Sequence, residues 1–382
     1  MLRGDGQPKV RARRTMPVFE HGFRDNPNLT TSRHPAWSSD PVPQDFHSVV
    51  SLFSGCGGMD LGFTGGFEVL GTEYEVLPFE VVYAADNSDD VVEAYQLNLG
   101  DEIHNVDLST VKMGTLPAAD VLIGGFPCQD FSSSGPKVGL AGKRGQLYRA
   151  LVDYMEVHRP KVVVGENVPH LARLRGGEYL ATILDDLEAV GYRFEVWELY
   201  APDFGVPQSR RRLFLVGVRE DLAGFPEPPK PTHLAGHVSV DVALADLEGV
   251  VDETVPNQSQ YFVATRASSG GGQGDHANEV GRVAYCIRAN ARGRIQFHYR
   301  LPRRLTVREC ARLQSFPDEF VFPFSTQRNM TLIGNAVPPI LGHHVGTSVR
   351  DFLAMPQSEV VAASSHRTRF ARQGLLFGGA VK

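Results

Sequence analysis

Between residues 48 and 217, short apolar runs alternate with segments of helical spacing. Val49-Val50-Ser51-Leu52-Phe53, Glu80-Val81-Val82-Tyr83-Ala84-Ala85, Asp120-Val121-Leu122-Ile123 and Lys161-Val162-Val163-Val164-Gly165 are β-branched and nearly continuous in apolar character. A strand covered on both faces needs that pattern, so these read as buried parallel strands. Residues 91–99, 146–157 and 179–190 repeat their apolar positions at helical spacing, and Gly191 stops the last of them. Residues 193–199 alternate as a strand does, and Leu213-Phe214-Leu215-Val216-Gly217 closes the series. This order predicts an α/β fold with a doubly wound, mostly parallel sheet. Ligands of such sheets sit beyond the carboxyl ends of the strands.

The pattern breaks at Phe225-Pro226-Glu227-Pro228-Pro229-Lys230-Pro231, where four prolines in seven residues mark a lobe boundary. A glycine-rich stretch follows at 268–274. Residues 306–316 read as a helix of a second, smaller lobe, 330–334 lead back to the first lobe, and 338–353 read as a final helix. The expected organisation is a large lobe over 47–225 plus 330–355 and a small lobe over 226–329. Residues 1–46 hold six prolines and seven basic residues with little periodicity, and read as a flexible basic arm. Residues 356–382 form a tail without an assigned role.

The chain has 382 residues, 42% of them hydrophobic, enough for one large core or for a large and a small one. No apolar run approaches the length of a membrane span, and the amino terminus lacks a signal-peptide pattern. Four cysteines lie far apart without Cys-x-x-Cys spacing, which fits a reduced cytoplasmic protein and argues against a structural zinc site. The net charge of −6 conceals a division: eleven acids and no Lys or Arg from Glu68 to Asp107, but nine arginines and one acid from Arg282 to Arg312. One surface would repel phosphate and another would attract it, unless the arginines form ordinary solvated surface.

The apolar run ending at Ile123 feeds directly into Gly124-Gly125-Phe126-Pro127-Cys128-Gln129-Asp130-Phe131-Ser132-Ser133-Ser134-Gly135. Cysteine on a Pro/Gly/Ser loop after a strand is a nucleophile candidate, although an inert buried thiol is the commoner use of the residue. Gly55, Gly57 and Gly58 follow the first strand, where glycine lets the backbone approach a ligand. Asp60 stands where a third glycine would complete a dinucleotide fingerprint, which counts against a nicotinamide dinucleotide oxidoreductase. Asp86 ends the second strand, placed either to accept hydrogen bonds from ribose hydroxyls or to cap the helix that begins near Asp89.

Six segments taken in order carry a resemblance. They are Phe53-Ser54-Gly55-Cys56-Gly57-Gly58-Met59-Asp60-Leu61-Gly62-Phe63, the Pro127-Cys128-Gln129 loop, Glu166-Asn167-Val168, Gln208-Ser209-Arg210-Arg211-Arg212, the stretch from Arg304 to Gln314, and Gly334-Asn335-Ala336-Val337-Pro338-Pro339. Each alone is weak; together they resemble the DNA cytosine-5 methyltransferase family of the bacterial restriction–modification type. The resemblance covers roughly residues 48–225 and 303–349.

The resemblance implies a sheet of the S-adenosylmethionine-dependent methyltransferase type and a short target-recognition region in the smaller lobe. It implies methyl transfer from S-adenosylmethionine to C5 of a flipped-out cytosine in duplex DNA, with S-adenosylhomocysteine as product and no metal. Cys128 resembles the nucleophile that adds to C6. Glu166 resembles the acid that relieves charge at N3, for which burial would have to raise its pKa. Arg212 resembles the arginine that binds the cytosine O2 and orients that glutamate, and Arg210 a partner there or at the adjacent phosphate. On the cofactor side, Phe53 matches the aromatic against the adenine, though a core phenylalanine fits as well. Asp107 resembles the acid that accepts from the adenine amino group, with Leu108 beside it. Asn87 stands where the family often has a larger side chain, and Pro127 and Asn335 close the pocket. Gly55, Gly57, Gly58 and Asp86 take the turn and ribose positions.

On the DNA side, Gln129 would fill space near the flipped base and Ser132 would contact phosphate. Arg144 lies in the glycine-rich basic loop 139–145 that the family closes over DNA. Arg288, Asn290, Arg292, Arg294 and Gln296 alternate as one exposed strand face would. Such side chains read guanine and adenine edges in the major groove, but phosphate contacts or a solvated face give the same pattern. The expected partner is double-stranded DNA. A cognate restriction endonuclease or other defence genes would act on the same site without stable contact, and the protein would be a monomer at the nucleoid. Two rivals share the scaffold. A tRNA cytosine-5 methyltransferase would carry a Cys-Phe-Thr signature that this chain lacks. A non-catalytic DNA-binding subunit predicts loss of Cys128 or Glu166, and both are present.

Overall fold

From residue 47 onward the apolar runs become adjacent strands of one sheet. The structure, a computed structural model, describes residues 46–127, 147–250, 254–260, 275–289 and 295–355. Seven strands form the sheet: β1 (His47–Leu52), β4 (Phe79–Asp86), β5 (Ile103–Asn105), β6 (Val121–Gly124), β7 (Val162–Asn167), β8 (Tyr192–Tyr200) and β9 (Arg211–Arg219). Their order is β5-β4-β1-β6-β7-β9-β8. Strands β2 (Phe67–Val69) and β3 (Thr72–Tyr74) make a separate antiparallel hairpin that the sequence pattern did not announce.

The first five strands of that order pair in parallel, from β5 to β7. Strand β9 runs antiparallel to both β7 and β8. This departs from a purely alternating reading. Burial dictates an apolar strand without dictating its direction, so the pattern of β9 looks like that of its parallel neighbours. The chain winds outward from β1 to β4 and β5 on one side and to β6 and β7 on the other. A crevice therefore opens beyond the carboxyl ends of β1 and β6, the switch point where such sheets bind ligands.

Alternate residues of the strands enter two hydrophobic clusters, one on each face. Val49, Ile123, Val164 and Val216 join Phe63, Ile340 and Val345, from α1 (Gly58–Thr64) and α8 (Pro339–Ala354). Val50, Leu122, Val163 and Leu215 join Leu151, Met155 and Ile183, from α3 (Arg149–His158) and α4 (Glu178–Glu188). Helix α2 (Asp89–Asn98) links β4 to β5.

Leu305, Val307, Phe316 and Phe320 belong to the same cluster as the first face, so the segment around α6 (Val307–Leu313) shares its core with the sheet. Helix α6 starts at Thr306 with a reciprocal capping box to Glu309. Inside it, Arg308 is fully buried and donates to the carbonyls of Pro256, Pro317 and Phe320. A short helix α5 (Val240–Leu244), the two-residue strands β10 (His276–Ala277) and β11 (Gln296–Phe297), and α7 (Thr326–Asn335) complete the described elements. Helix α7 covers the segment read from sequence only as a return to the large lobe.

Candidate active site

Strand β1 ends at a backbone that few side chains tolerate. Phe53 has φ 57°, a left-handed conformation for a bulky residue, which costs on the order of 1 kcal/mol and clusters at ligand sites. Gly57 follows at φ 85° as the residue capping α1. A Cβ on Gly58 would stand 2.2 Å from the Val337 carbonyl oxygen, so the turn packs directly on the chain after α7. Ser54 ties the turn to β4: its hydroxyl donates to the Ala85 carbonyl at 3.1 Å and accepts the Ala85 N–H at 3.0 Å.

Asp86 then receives the Gly55 N–H on one oxygen and the Ser88 N–H on the other, each at 3.2 Å. Burial raises its pKa, and those N–H groups oppose the shift. The carboxylate thus joins the glycine turn to the start of α2 instead of serving as that helix's N-cap, a position held by Ser88. Asp107, after β5, accepts the Ser109 N–H at 3.0 Å and the Ser109 hydroxyl at 2.7 Å.

These residues border one cleft of about 780 Å³. Of the expected cofactor residues, Phe53, Gly55, Asp86, Asn87, Asp107, Leu108, Pro127 and Asn335 line it, and Gly57 and Gly58 do not. The volume lies within the usual range for small-molecule sites, roughly 300–1,000 Å³.

The far end of the cleft is built on β7 and β9. Glu166 pairs in register with Phe214. Arg212, two residues before Phe214, therefore shares the face of Glu166 diagonally across the ladder. Its Nε stands 2.7 Å from Glu166 Oε1, and each side chain is 11% exposed. Burial raises the Glu166 pKa, opposed by Arg212 and Arg210. Glu166 Oε2 leaves only 3.3 Å for a Cβ at Gly125, so the glycine makes room for the carboxyl. Asn167 donates from Nδ2 to the Phe126 carbonyl at 2.9 Å and accepts the Val168 N–H at 2.9 Å. It thereby holds the backbone at Phe126, next to Pro127.

Cys128, Gln129, Ser132 and Arg144 lie outside the described residues, as do Asn290, Arg292 and Arg294. Arg288 lines the cleft. Gln296 does not extend a strand face from Arg288: its Nε2 donates to the carbonyls of Tyr285 at 2.9 Å and Cys286 at 3.0 Å. Both amide hydrogens are thus committed to backbone, which corrects the expectation that this side chain reads bases.

Arg210 lines the cleft with Arg212 and acts on Glu166. It is 1% exposed and donates to the carbonyls of Ile287 (3.0 Å), Gly334 (3.0 Å) and Ala336 (2.7 Å). The guanidinium is thus bound to three carbonyls and braces the wall of the cleft that it lines. Arg211, whose use was open, stacks over the Tyr200 ring at 4.2 Å on the exposed side of β9. Sequence reading passed over Gln208, which is fully buried beside Arg210. Its place two residues before Arg210 in the same motif was the available signal.

The electrostatics of the cleft are divided. Asp86 and Asp107 line one end, where Asp90 is paired with Arg328, itself a lining residue; Arg210, Arg212 and Arg288 line the other alongside Glu166. A cationic, nucleoside-like ligand suits the first end and an electron-rich ring or phosphate the second.

Comparison with known proteins defines the class. Residues 47–351 match the family of C-5 cytosine-specific DNA methylases. The chain belongs to that family, and it is a DNA cytosine methyltransferase. It is 34% identical over 324 residues to the Type II methyltransferase M.NgoFVII of Neisseria gonorrhoeae, covering 76% of this chain and 83% of that one. It is 31% identical over 362 residues to the Type II methyltransferase M.BspRI of Lysinibacillus sphaericus, covering 81% and 83%. Among solved structures, the S. pombe Dnmt2 methyltransferase shares the fold with a TM-score of 0.57 at 18% identity, covering 81% of this chain and 100% of that one. The Entamoeba histolytica methyltransferase EhMeth does so with 0.60 at 15% identity, covering 82% and 100%.

Proposed function

We propose that the protein transfers a methyl group from S-adenosylmethionine to C5 of a cytosine flipped out of duplex DNA, within one short sequence, through a covalent Cys128–C6 bond. The observation that carries the reading is the buried Glu166–Arg212 pair at 2.7 Å, in the cleft that Pro127, the residue before Cys128 in sequence, also lines. A carboxyl whose pKa is raised by burial can give a proton near neutral pH, and a neighbouring guanidinium can hold the same ring.

The cleft fits the cofactor on three counts. Asp86 keeps lone pairs for ribose hydroxyls after accepting two N–H bonds. Asp107 lines the same cleft, and its carboxylate can accept from an adenine amino group. The carboxylates of Asp86 and Asp107 suit a cationic ligand such as a sulfonium. When bound, S-adenosylmethionine supplies an electrophilic methyl group.

The chain's own residues do the rest. The Cys128 thiolate adds to C6, forming the S–C6 bond, while Glu166 donates its proton to N3 and Arg212 holds O2. Electron density then sits at C5, which takes the methyl group. Loss of the C5 proton to water, with return of the N3 proton to Glu166, restores the double bond as the S–C6 bond breaks and the thiolate leaves. Rotation of the base out of the stack costs a few kcal/mol, offset by contacts in the pocket.

In this reading residues 47–225 and 330–355 form the catalytic lobe and 226–329 the recognition lobe. Arg288 and the neighbouring 290–294 segment meet DNA. The protein works as a monomer in the cytoplasm, with a cognate restriction endonuclease acting on the same sequence.

The test incubates wild type and Cys128→Ala with S-adenosylmethionine and unmethylated genomic DNA, then maps 5-methylcytosine by sequencing. Methylation at one short motif by wild type alone is expected. C5 methylation by the alanine variant would overturn the covalent step, and methylation of tRNA in preference to duplex DNA would overturn the substrate.

A further inference from the structure

Three buried side chains meet where segment 284–289, the end of α6 and the turn after α7 converge. Gln208 accepts the Ile287 main-chain N–H on Oε1 at 2.9 Å. Its Nε2 donates to the Leu313 carbonyl at 2.8 Å and to Gln314 Oε1. Gln314 in turn donates to the Ala336 carbonyl at 2.5 Å. Arg210 donates to the carbonyls of Ile287, Gly334 and Ala336. Gln208 and Gln314 are 0% exposed and Arg210 1%.

Two consequences follow from this wiring. Both main-chain polar groups of Ile287 are held by Gln208 and Arg210, and its neighbour Arg288 lines the cleft. The carbonyls on either side of Asn335, another lining residue, are held by the same Arg210 guanidinium. The backbones also touch: a Cβ on Gly334 would stand 2.1 Å from the Ala289 nitrogen. A guanidinium is a planar, rigid fork, so carbonyls bound to one fork move together or lose bonds. Losing one leaves a buried polar group unpaired, at roughly 1–3 kcal/mol.

We infer that Gln208, Arg210 and Gln314 are positioning residues that couple the DNA-facing segment at Ile287-Arg288 to the cofactor wall at Asn335. The inference rests on the reading that the cleft takes S-adenosylmethionine and that Arg288 meets DNA. Seating the cofactor against Asn335 sets the Gly334 and Ala336 carbonyls, and through Arg210 sets the Ile287 peptide. Linkage makes the effect reciprocal: each ligand tightens the other by the same factor.

The experiment titrates S-adenosylhomocysteine into full-length protein by calorimetry, with and without saturating duplex that carries the methylated motif. Wild type is expected to bind it about five-fold or more tightly when DNA is present. Arg210→Lys keeps the charge but loses the fork, and is expected to bring that ratio close to one. Gln208→Met carries the same test if Arg210→Lys does not fold. Arg308→Lys is the control, since Arg308 grips three carbonyls elsewhere: it should lower Tm and leave the ratio intact. A ratio preserved in Arg210→Lys and Gln208→Met, or lost equally in Arg308→Lys, would overturn the coupling. Failure of the underlying reading looks different, because wild type itself would then bind no S-adenosylhomocysteine, and both would fall.

Discussion

Glu166 Oε1 and Arg212 Nε stand 2.7 Å apart, diagonal neighbours on one face of the β7–β9 ladder. An antiparallel pair is what brings them together. Were β9 parallel to β7, the end of β7 would face the end of β9 near Arg219, far along the chain from Arg212. The strand direction that sequence periodicity left open is therefore what assembles the acid and the guanidinium.

Glu166→Gln should lower kcat by roughly 10²–10⁴-fold, the usual worth of a positioned acid, while leaving DNA affinity within a few-fold. The pH profile supplies the sign. Burial raises the Glu166 pKa, so the proton-donating form persists above the ordinary carboxylate range and is lost as pH rises through the folded pKa. In wild type, single-turnover methylation should fall on that alkaline limb, and Glu166→Gln should lack the limb. Rates of the two proteins that fall in parallel across the same pH range would remove Glu166 from the proton transfer.

Among the described residues, the arginines between 282 and 312 do not form the phosphate-attracting surface expected from sequence: Arg308 and Arg312 are buried, and Arg282, Arg300, Arg303 and Arg312 pair with acids. Arg288, which lines the cleft, predicts a salt response. Each phosphate neutralised contributes about −0.9 to the slope of log K against log salt on duplex DNA. Arg288→Ala should therefore weaken binding and reduce that slope by about one if Arg288 meets phosphate. If it reads a base, the slope should hold while discrimination at one position of the motif falls by about 1–3 kcal/mol. Fluorescence anisotropy at several salt concentrations separates the two, and an unchanged affinity would take Arg288 out of the interface.

Gly58 offers a purely steric prediction. Its missing Cβ would stand 2.2 Å from the Val337 carbonyl oxygen and 3.3 Å from the Phe316 ring. Gly58→Ala must push α1 away from the chain after α7, at a cost of about 1–3 kcal/mol. Thermal unfolding should show a drop of several degrees, and S-adenosylhomocysteine should bind more weakly because the glycine turn moves with α1. An unchanged Tm would mean the two backbones are further apart.

The strands and most helices were legible in sequence because burial writes itself as periodicity: residues 193–199, read as a strand, became the core of β8, and 179–190 became α4 within two residues at each end. The acid and arginine of the site were legible through motif resemblance. What the motif could not say was which atoms a residue bonds. Arg210 and Arg212 sit two apart in one motif, yet the first faces carbonyls and the second a carboxylate. Gln296 failed for the same reason: a polar side chain at strand spacing can serve its own backbone as readily as a base edge. Such choices depend on residues distant in sequence, and no local pattern encodes them.

Asp60, read from sequence only as a missing glycine, predicts a pH effect on stability. It is 1% exposed in α1, and its Oδ1 accepts the Tyr95 hydroxyl at 3.0 Å. Burial pushes its pKa up from 3.8 to about 6. The folded state thus binds the proton more tightly than the unfolded chain does. The stabilising contribution is complete below the unfolded pKa and is lost as pH rises through about 6. Roughly two pKa units correspond to about 3 kcal/mol between the extremes. Asp60→Asn keeps an oxygen that can accept from Tyr95 and has no proton to lose. Relative to wild type it should therefore gain Tm progressively from about pH 4 to about pH 6, with half of the gain reached near pH 5 and a plateau above about pH 7. Melting curves of the two proteins at half-unit pH steps measure this directly. A constant offset between them would mean that Asp60 does not change its charge in that window.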